Sequence, residues 1–575
     1  MNNYTIRLIC IFLLLFADQP RASGIQQAQK FDVVIYGATS GGITAAIQSS
    51  RMKKSVLLIE PGTRIGGLTT GGLGRTDMGN KNAFGGIARE FYHHIWKHYN
   101  QPENWIRETR ETYLGAQAME TYTDDSTMWA FEPAAALKVY KDMLASEKVI
   151  LVYSQRLDRA GGVIREGGRI RQIRMENGTV YEGKMFIDAT YEGDLMAAAK
   201  VSYTYGRESN QEYGETLNGV QANRVNLSLK GRVSKNAWNH NFVPGVDPYV
   251  VKGDKSSGLL PFISPEKPGL DGSGDKKIQA FCFRMTLTDY PENRIPFEKP
   301  THYNELDYEL LFRNYEAAPN GRIDEMYDYG DPILPWINAK MPNRKTDTNN
   351  QKGFSTDFIG QNYHYPEASY KEREKIIEKH LTYQKGLMWT LAYHPRIPEK
   401  VREQVSKWGT CKDEYDGKDG WQQQLYIREA RRMVSDYVMT QRNCEGIEVA
   451  KDAVGLAAYG MDSHHTQRYV DVNGYVQNEG NVECGVQSPY PISYRSIIPR
   501  QTECANLLVP VCLSATHIAF GSIRMEPVFM VLGQSSAIAA SIAIDKGIAL
   551  QEVPYQELRK TLLHYDQHLE WAGNK

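Results

Sequence analysis

A glycine-rich stretch near the amino terminus has the residue types and spacing of a phosphate-binding turn. The apolar run Phe31–Tyr36 leads into the segment Gly37–Gly42, and small residues continue to Ser50. Such a turn lets a pyrophosphate approach the backbone at the amino terminus of a helix. Thr39 stands where another glycine would complete Gly-x-Gly-x-x-Gly. The residues predicted to contact a dinucleotide are Gly37, Thr39, Ser40, Gly41 and Gly42.

An acidic residue completes this unit. A second apolar run, Ser55–Ile59, ends at Glu60, whose carboxylate can accept hydrogen bonds from both hydroxyls of an adenosine ribose. The order strand, glycine turn, helix, strand and acid is typical of a dinucleotide-binding βαβ unit. The alternative is an ordinary βαβ crossover that binds nothing.

The next segment favours a flavin over a nicotinamide. Arg64, Gly66 and Gly67 form an Arg-x-Gly-Gly turn directly after the acid, which is a mark of flavin enzymes with the two-dinucleotide-binding fold. Those enzymes usually continue with a second Arg and a Ser or Thr, whereas this chain has Leu68 and Gly71. We therefore add Arg64, Gly66, Gly67 and Leu68 to the predicted FAD contacts. The glycine run that follows is predicted to pack on the cofactor, and a flexible loop is the alternative.

Two later strands and one later helix are predicted to complete the cofactor domain. The run Lys184–Asp188 reads as a strand whose last residue lies near the cofactor, although Asp188 can instead cap the following helix. Asn506–Val511 reads as a buried strand. Pro527–Asp545 reads as a small-residue helix that contains Gly533 and has Pro at its first turn. The positive end of such a helix stabilises negative charge on a reduced flavin.

The middle of the chain has a different pattern. Alternation in Gln279–Leu287 predicts an antiparallel sheet, and Lys371–Tyr393 and Gln424–Met439 are predicted to be amphipathic helices. The predicted organisation is a split FAD domain around an α+β substrate domain. Its parts are a signal peptide (1–24), FAD-binding parts (31–200 and 500–550), an insert (201–499) and a carboxyl-terminal tail (551–575).

Besides the nucleotide motifs, the chain has several long and distinctive stretches, which are Ile187–Leu195, Lys345–Asn350, Gly353–Gly360, Gln424–Met433 and Ser514–Pro527. Together with those motifs they resemble the FAD-dependent oxidoreductase family of secreted bacterial proteins, some of which carry a xanthan lyase label. It implies FAD as the cofactor and an α/β fold of the Rossmann-like, glutathione-reductase and p-hydroxybenzoate-hydroxylase type. It implies no particular substrate.

Candidate catalytic residues lie between the closing strand and the closing helix. His517 is predicted to lie near the flavin ring and to take a proton as hydride leaves for N5, and the alternatives are a structural histidine or a covalent flavin attachment. Arg524 is predicted to hold an anionic substrate group or the flavin O2, and the alternative is an ion pair with Glu526 or Glu503. Weaker substrate-binding candidates are Arg428, Arg431, His464, His465 and Tyr494.

Arg428 and Arg431 are predicted to share one face of a helix, where the structural alternative, an ion-pair network with neighbouring acids, is favoured. His464 and His465 are predicted to belong to a polar loop that either lines the pocket or is simply exposed.

The amino-terminal segment and the composition indicate the cellular compartment and exclude some classes of partner. Arg7 precedes the apolar run Leu8–Phe16, which predicts a cleaved signal peptide and export to the periplasm or medium. The formal net charge of −1 and the lack of a basic run argue against nucleic acid. No further stretch reads as transmembrane, no metal site is predicted, and the six cysteines after the signal are either free thiols or form one or two disulfides.

The leading hypothesis is an exported FAD enzyme that moves a hydride between flavin N5 and a C–OH or C–N bond of a small molecule. A carbohydrate suits the aromatic-rich middle segment, and the electron acceptor is unknown. The sequence has no second nucleotide-binding motif, which argues against an enzyme that takes electrons from NAD(P)H. The alternatives are a glycan-binding or scaffold protein with a vestigial fold, and a flavoprotein that catalyses a non-redox isomerisation or elimination.

Overall fold

The computed structural model describes residues 28–115, 122–123, 125–222, 241–319, 322–323 and 333–573. The α-helices are α1 (Ser40–Arg51), α2 (Gly86–Tyr99), α3 (Arg110–Gly115), α4 (Pro133–Ala145), α5 (Asp194–Ala198), α6 (Asn210–Tyr213), α7 (Glu309–Ala317), α8 (Tyr370–Tyr393), α9 (Glu399–Val405), α10 (Gln441–Cys444), α11 (His517–Ile523), α12 (Glu526–Lys546) and α13 (Tyr555–His564). The strands are β1 (Gln29–Tyr36), β2 (Val56–Ile59), β3 (Tyr122–Thr123), β4 (Thr127–Met128), β5 (Val149–Val152), β6 (Val163–Glu166), β7 (Arg169–Arg174), β8 (Val180–Asp188), β9 (Tyr203–Thr204), β10 (Met285–Thr288), β11 (Arg294–Ile295), β12 (Trp336–Met341), β13 (Lys345–Asn350), β14 (Gly409–Cys411), β15 (Arg432–Met433), β16 (Ala453–Ala457), β17 (Met461–Ser463), β18 (Gln467–Val470), β19 (Val476–Glu479), β20 (Val482–Cys484), β21 (Tyr490–Ser493) and β22 (Leu507–Leu508). The predicted signal peptide lies outside the described residues.

The largest sheet has a parallel core. Strands β5, β2, β1 and β8 lie side by side in parallel, and β22 from the carboxyl-terminal part pairs in parallel with the end of β8. Strands β7 and β6 extend the sheet in antiparallel fashion from the start of β8. The apolar run of β1 is buried because helices and loops cover both faces of a parallel sheet. This is the predicted α/β architecture.

Two small-residue helices cross on one face of that sheet. The Thr44 hydroxyl of α1 donates to the Met530 carbonyl of α12 at 2.7 Å. A Cβ atom added at Gly533 would lie 2.0 Å from the Gly41 carbonyl, so only glycine allows this approach. Helix α12 is the one described helix long and apolar enough to cross a membrane, and it is almost wholly buried inside the protein.

The chain between these parallel strands forms a second sheet. Strands β11, β14, β10, β13 and β12 lie in that order and pair in antiparallel fashion. The predicted antiparallel arrangement is therefore present, although the strand begins at Met285 rather than Gln279. The long helix α8 was predicted with nearly the observed bounds, and a capping box of Ser369 and Glu372 begins it. The division into domains stays a prediction.

The helix predicted for Gln424–Met439 is wrong. This segment is extended, with the short strand β15 and isolated bridges at Tyr426 and Met439. Its charged residues are buried in ion pairs with acids from other elements, and those tertiary partners decide its conformation instead of local helix propensity.

The six cysteines after the predicted signal are all buried free thiols, so no disulfide crosslinks the described chain. They are Cys282, Cys411, Cys444, Cys484, Cys504 and Cys512.

Candidate active site

A cavity of about 240 Å³ opens where β1 and β2 reach their carboxyl ends. This is the place where open α/β sheets bind nucleotides. Its wall includes Gly37, Thr39, Glu60, Arg64 and Gly67, which are all residues predicted to contact the dinucleotide. The start of α8 covers the opposite side with Tyr370 and Arg373.

The turn between β1 and α1 depends on its glycines. Gly37 has φ of +99°, which favours glycine, and a Cβ atom there would meet Ala189 and Thr190 at 2.8 Å. A Cβ atom at Gly42 would lie 1.9 Å from the Gly37 carbonyl. Thr39 caps α1, because its hydroxyl accepts from the Gly42 N–H, and it also donates to the Ala189 carbonyl at 2.7 Å. Thr39 is therefore a helix cap in a tight βα turn.

Two charged side chains border the cavity on the β2 side. Glu60 accepts from the N–H groups of Gly62 and Ala38 at 2.7 and 3.1 Å, and burial raises its pKa to about 7. Arg64 donates through Nε to the Thr70 carbonyl and lies over the Tyr415 ring. Its Nη2 is buried without a hydrogen-bond partner among the described residues. A guanidinium nitrogen without a hydrogen-bond partner, in a cavity that also contains the turn before α1, is suited to bind an anion.

The space left by the missing side chains of the glycines after Arg64 is filled by other residues of the protein. Gly66 and Gly67 have positive φ values, and a Cβ atom at Gly67 would lie 2.1 Å from the Tyr191 hydroxyl. That hydroxyl accepts from the Leu68 N–H at 2.9 Å. The glycine run up to Gly74 packs against the Arg284 backbone and Met341 of the second sheet, so it is not a flexible loop.

Asp188 is not among the residues that line the nucleotide cavity, and its contact with the cofactor stays a prediction. Its carboxylate accepts from Thr190 and from the Met196 N–H at 2.8 Å, so it organises the turn that follows β8 and caps α5. The capping alternative is the observed one. Gly533 likewise lies in the contact of α12 with α1, where its role is to permit helix packing.

The amino termini of α1 and α12 converge beside Glu526. Ser40, the first residue of α1, contacts the Glu526 carbonyl. The buried Glu526 carboxylate accepts from the hydroxyls of Tyr191 and Thr69 at 2.7 and 2.9 Å. Burial raises the pKa of Glu526. The positive ends of both helices therefore face one small region, where they stabilise negative charge.

A second, much smaller cavity of about 10 Å³ lies beside the first and reaches Arg524. Tyr191 and Ile427 line both cavities, and Leu68, Phe529 and Arg524 line the second one. Arg524 donates to the Tyr426 hydroxyl at 2.7 Å and to Asp462 Oδ2 at 2.8 Å. Neither of the predicted alternative partners of Arg524, Glu526 or Glu503, pairs with it.

A polar cluster surrounds Arg524. It consists of Asp77, Arg284, Asp347, Asp357, Tyr426, Arg428, Tyr459, Asp462, His464 and Arg524. Each arginine is paired with an aspartate: Arg284 with Asp347, Arg428 with Asp357, and Arg524 with Asp462. The side chains of Asp77 and Asp462 are 29% and 23% exposed, whereas those of Arg284, Asp347, Arg428 and Asp357 are almost fully buried.

Electrostatics within the cluster act in opposite directions on its carboxyls. Burial raises the pKa of Asp77, although Arg284 partly offsets it. Burial acts in the same direction on Asp462, but His464 and Arg524 hold its pKa well below the usual range. The Asp77 carboxylate in turn raises the pKa of the Tyr459 hydroxyl. The cluster therefore combines a carboxyl whose pKa is raised, Asp77, with one whose pKa is lowered, Asp462.

His464 is the imidazole that reaches this cluster. Its Nδ1 lies 2.7 Å from Asp357 Oδ2 and its Nε2 lies 3.5 Å from Asp462 Oδ2. The His464 ring therefore lies between two carboxylates, with Nδ1 toward Asp357 and Nε2 toward Asp462.

His517 is a buried, hydrogen-bonded histidine, as the structural alternative to a catalytic role predicted. Its Nδ1 lies 2.6 Å from Glu429 Oε2, its Nε2 lies 2.9 Å from Ser463 Oγ, and the residue is 2% exposed. Both ring nitrogens are thus bonded to protein and the ring lines neither cavity described above. The catalytic role predicted for His517 is not supported by this geometry.

The other predicted substrate residues are dispersed. Arg431 pairs with Asp194 and Glu367, on the side of the nucleotide cavity, while Arg428 pairs with Asp357 in the polar cluster. Their side chains do not share one helix face, because the chain here is extended. The Tyr494 hydroxyl donates to the Leu550 carbonyl, and His465 is buried rather than exposed.

The residues present fit FAD. The glycine turn and the unpartnered Arg64 nitrogen suit its pyrophosphate, Glu60 suits a ribose, and the smaller cavity lies toward two helix amino termini that favour negative charge. This fold and site define a Rossmann-like FAD-binding flavoprotein. A sequence model of the FAD dependent oxidoreductase family matches residues 32–562, and the chain belongs to that family. The protein is an FAD-dependent oxidoreductase, and FAD is its cofactor.

Comparison with solved structures finds partial likenesses. They include the OxyS anhydrotetracycline hydroxylase from Streptomyces rimosus (13% identity, TM-score 0.20), T. acidophilum thioredoxin reductase (17%, 0.17) and the L-amino acid deaminase from Proteus vulgaris (16%, 0.22). Each covers 32% of this chain and, respectively, 36%, 40% and 53% of the other chain. The match thus spans about a third to a half of those proteins. No curated protein matches the sequence.

Sequence reasoning missed Asp77, Tyr426 and Glu526. A signal was present for Asp77, which follows the glycine run after three residues. Tyr426 was assigned to a helix, which hid its contact with Arg524. Glu526 was considered only as an ion-pair partner, and its position at the start of α12 is what makes it part of the site.

Proposed function

We propose that this enzyme oxidises a hydroxyl-bearing carbon of a neutral polyhydroxylated molecule, such as a carbohydrate. The observation that carries the proposal is the pairing of every arginine in the polar cluster with an aspartate. A cluster without a free positive charge has little attraction for a carboxylate or phosphate substrate. Its carboxylates, guanidinium groups and tyrosine hydroxyls suit the many donors and acceptors of a polyol.

Each residue of the site would have a separate role in the reaction. Asp357 orients the His464 ring, and His464 Nε2 takes the proton of the substrate hydroxyl. Asp462, which is held ionised, stabilises the protonated ring. Arg524 and Tyr426, which line the small cavity, would position the substrate. Bound FAD supplies the chemistry of hydride acceptance.

The test is an anaerobic titration of the purified holoenzyme with sugars and sugar alcohols, sugar acids, and amino acids. Loss of the visible flavin absorbance on addition of neutral polyols, with no loss on addition of amino acids, supports the proposal. Bleaching by amino acids alone would move the reaction to a C–N bond. If the compounds are converted to products while only dithionite bleaches the flavin, the reaction is instead a non-redox isomerisation or elimination.

Export is a further part of the proposal. It rests on Arg7 and the apolar run Leu8–Phe16. Amino-terminal sequencing of the protein recovered from its host tests it. A mature chain that begins near residue 25 supports export, whereas retention of residues 1–24 opposes it. The electron acceptor stays open.

A further inference from the structure

One wall of the nucleotide cavity comes from a part of the chain that carries no nucleotide motif. Tyr370, Glu374 and Ile377 of α8 line this wall. Their spacing of four and then three residues places them on one face of the helix. Helix α8 lies outside both stretches predicted to bind FAD, 31–200 and 500–550. The structure therefore brings to the site an element for which the nucleotide motifs give no role.

This wall lies beside Glu60. The Gln155 N–H donates to the Glu60 carbonyl at 3.2 Å, and the next residue, Arg156, lines the cavity. The Arg156 guanidinium lies over the Tyr370 ring, 5.2 Å from its centroid. In FAD the adenine is bonded directly to the ribose that Glu60 would bind. Adenine bound there would therefore lie within reach of the planes of Arg156 and Tyr370.

The start of α8 is anchored at this wall. The Asp194 carboxylate accepts from Arg373 at 2.6 and 3.0 Å and from Arg431 at 2.9 Å, and all three residues are buried. The Tyr370 hydroxyl donates to the Leu157 carbonyl at 3.2 Å. These bonds fix the Tyr370 ring without help from a cofactor, and a preformed wall loses little conformational freedom on binding.

Arg156 is held less tightly than Tyr370. Its partner is Glu374 at 2.6 Å, and the two side chains are 40% and 54% exposed. An exposed ion pair contributes little to stability, so the guanidinium can reorient at small cost. A guanidinium is planar and stacks on aromatic rings, and adenine is such a ring. Arg156 can therefore lie flat against adenine in the space that the Tyr370 ring bounds.

We propose that Arg156 and Tyr370 bind the adenine ring of FAD by stacking, which makes α8 part of the cofactor site. The contact is non-covalent and involves no redox step. It depends only on bound FAD and not on the proposed oxidation of a polyol.

The test is fluorescence titration of the apoprotein, prepared by removing FAD, with FAD and with FMN, which lacks the adenosine. Arg156→Ala and Tyr370→Leu should each weaken FAD binding about ten-fold, the scale of base stacking, and should leave FMN binding unchanged. Tyr370→Phe, which keeps the ring, should bind FAD like the wild-type protein. Arg174→Ala is the matched control, because Arg174 is 42% exposed and pairs with Asp158, and it should bind both flavins normally.

ADP carries the adenine without a flavin and gives a second measurement. Its affinity, obtained from competition with FAD, should fall about ten-fold in Arg156→Ala. Arg156→Lys should not restore this affinity, because lysine keeps the charge but lacks the plane.

Three results would overturn the proposal. Unchanged affinity for FAD and ADP in Arg156→Ala and Tyr370→Leu would place adenine elsewhere. An equal loss of FAD and FMN affinity would show that these variants disturb the whole site. Full binding in Arg156→Lys would show that Arg156 acts through its charge alone. No substrate is present in these titrations, so their outcome does not depend on the polyol proposal.

Discussion

His517 Nδ1 and Glu429 Oε2 lie 2.6 Å apart in a fully buried pair that joins helix α11 to the extended segment around residue 429. On its other side His517 contacts Ser463, the last residue of β17, which precedes His464. The pair therefore fixes the strand that presents His464 to the polar cluster. His517 thus has a structural role in positioning His464, and a catalytic role for it stays an untested prediction.

We expect His517→Ala to cost about 1–3 kcal/mol in the free energy of unfolding, because the buried Glu429 carboxylate loses one partner while it keeps Arg432 and Gln279. Urea denaturation of the purified variant measures the loss. A variant that is as stable as the wild-type protein but fails to reduce its flavin would instead make His517 a catalytic residue.

Acid should weaken the same pair. Burial acts to raise the pKa of Glu429, yet His517 and Arg432 hold it at about 2, below the ordinary value of 4.5. A lowered folded-state pKa contributes stability that is present above pH 4.5 and is lost as the pH falls toward 2. We expect Glu429→Gln to lose part of the acid dependence of the melting temperature in this window. An unchanged acid dependence in that variant would contradict the assignment.

His464→Asn should slow reductive bleaching of the flavin by substrate about 10²–10⁴-fold, because the proton acceptor is removed. FAD content should stay unchanged, since His464 lies outside the nucleotide cavity. His302→Gln, which changes an exposed histidine, is the control. Bleaching by His464→Asn at the wild-type rate would remove His464 from the mechanism.

Arg64→Met should weaken FAD binding, because the unpartnered guanidinium nitrogen is the cation available to the pyrophosphate. We expect a loss of about 1.5–3 kcal/mol in binding free energy, the range for a hydrogen bond to a charged group. Fluorescence titration of the apoprotein with FAD measures it. Arg171→Met, on an exposed strand, should bind FAD normally. Equal affinities for the two variants would show that Arg64 does not contact the cofactor.

FAD affinity should depend on pH through Glu60. Burial raises the pKa of Glu60 to about 7 in the free protein, and ribose hydroxyls would favour its ionised form. The dissociation constant should therefore be lowest above pH 7 and should rise as the pH falls below 7. Glu60→Gln should bind more weakly and lose this dependence. A pH-independent affinity in the wild-type protein would contradict the role of Glu60.

Gly533→Ala should separate α1 from α12, because its Cβ would lie 2.0 Å from the Gly41 carbonyl. We expect a destabilisation of about 1–3 kcal/mol, typical of overpacking, together with lower FAD content because α1 carries the phosphate turn. Gly485→Ala, where a Cβ atom meets nothing within 4 Å, is the matched control. Normal stability and FAD content in Gly533→Ala would show that the helices adapt.

The nucleotide half of the site could be predicted from sequence because its signals are local. The glycine turn, Glu60 and the helix after Pro527 are each encoded by a short run with a fixed spacing. The polar cluster brings together Asp77, Asp357, Tyr426 and Asp462, which are far apart in the chain, so no spacing reveals it. The segment after Gln424 was misread for the same reason, since its buried arginines find their acids only in the folded protein.

The most direct test of the proposed reaction is rapid mixing of the oxidised holoenzyme, without oxygen, with a bleaching polyol that carries deuterium at the carbon to be oxidised. We predict that flavin absorbance falls in a single turnover and that deuterium slows this step, because the C–H bond breaks as hydride leaves. The proposal would be contradicted if dithionite bleaches the flavin but no neutral polyol does.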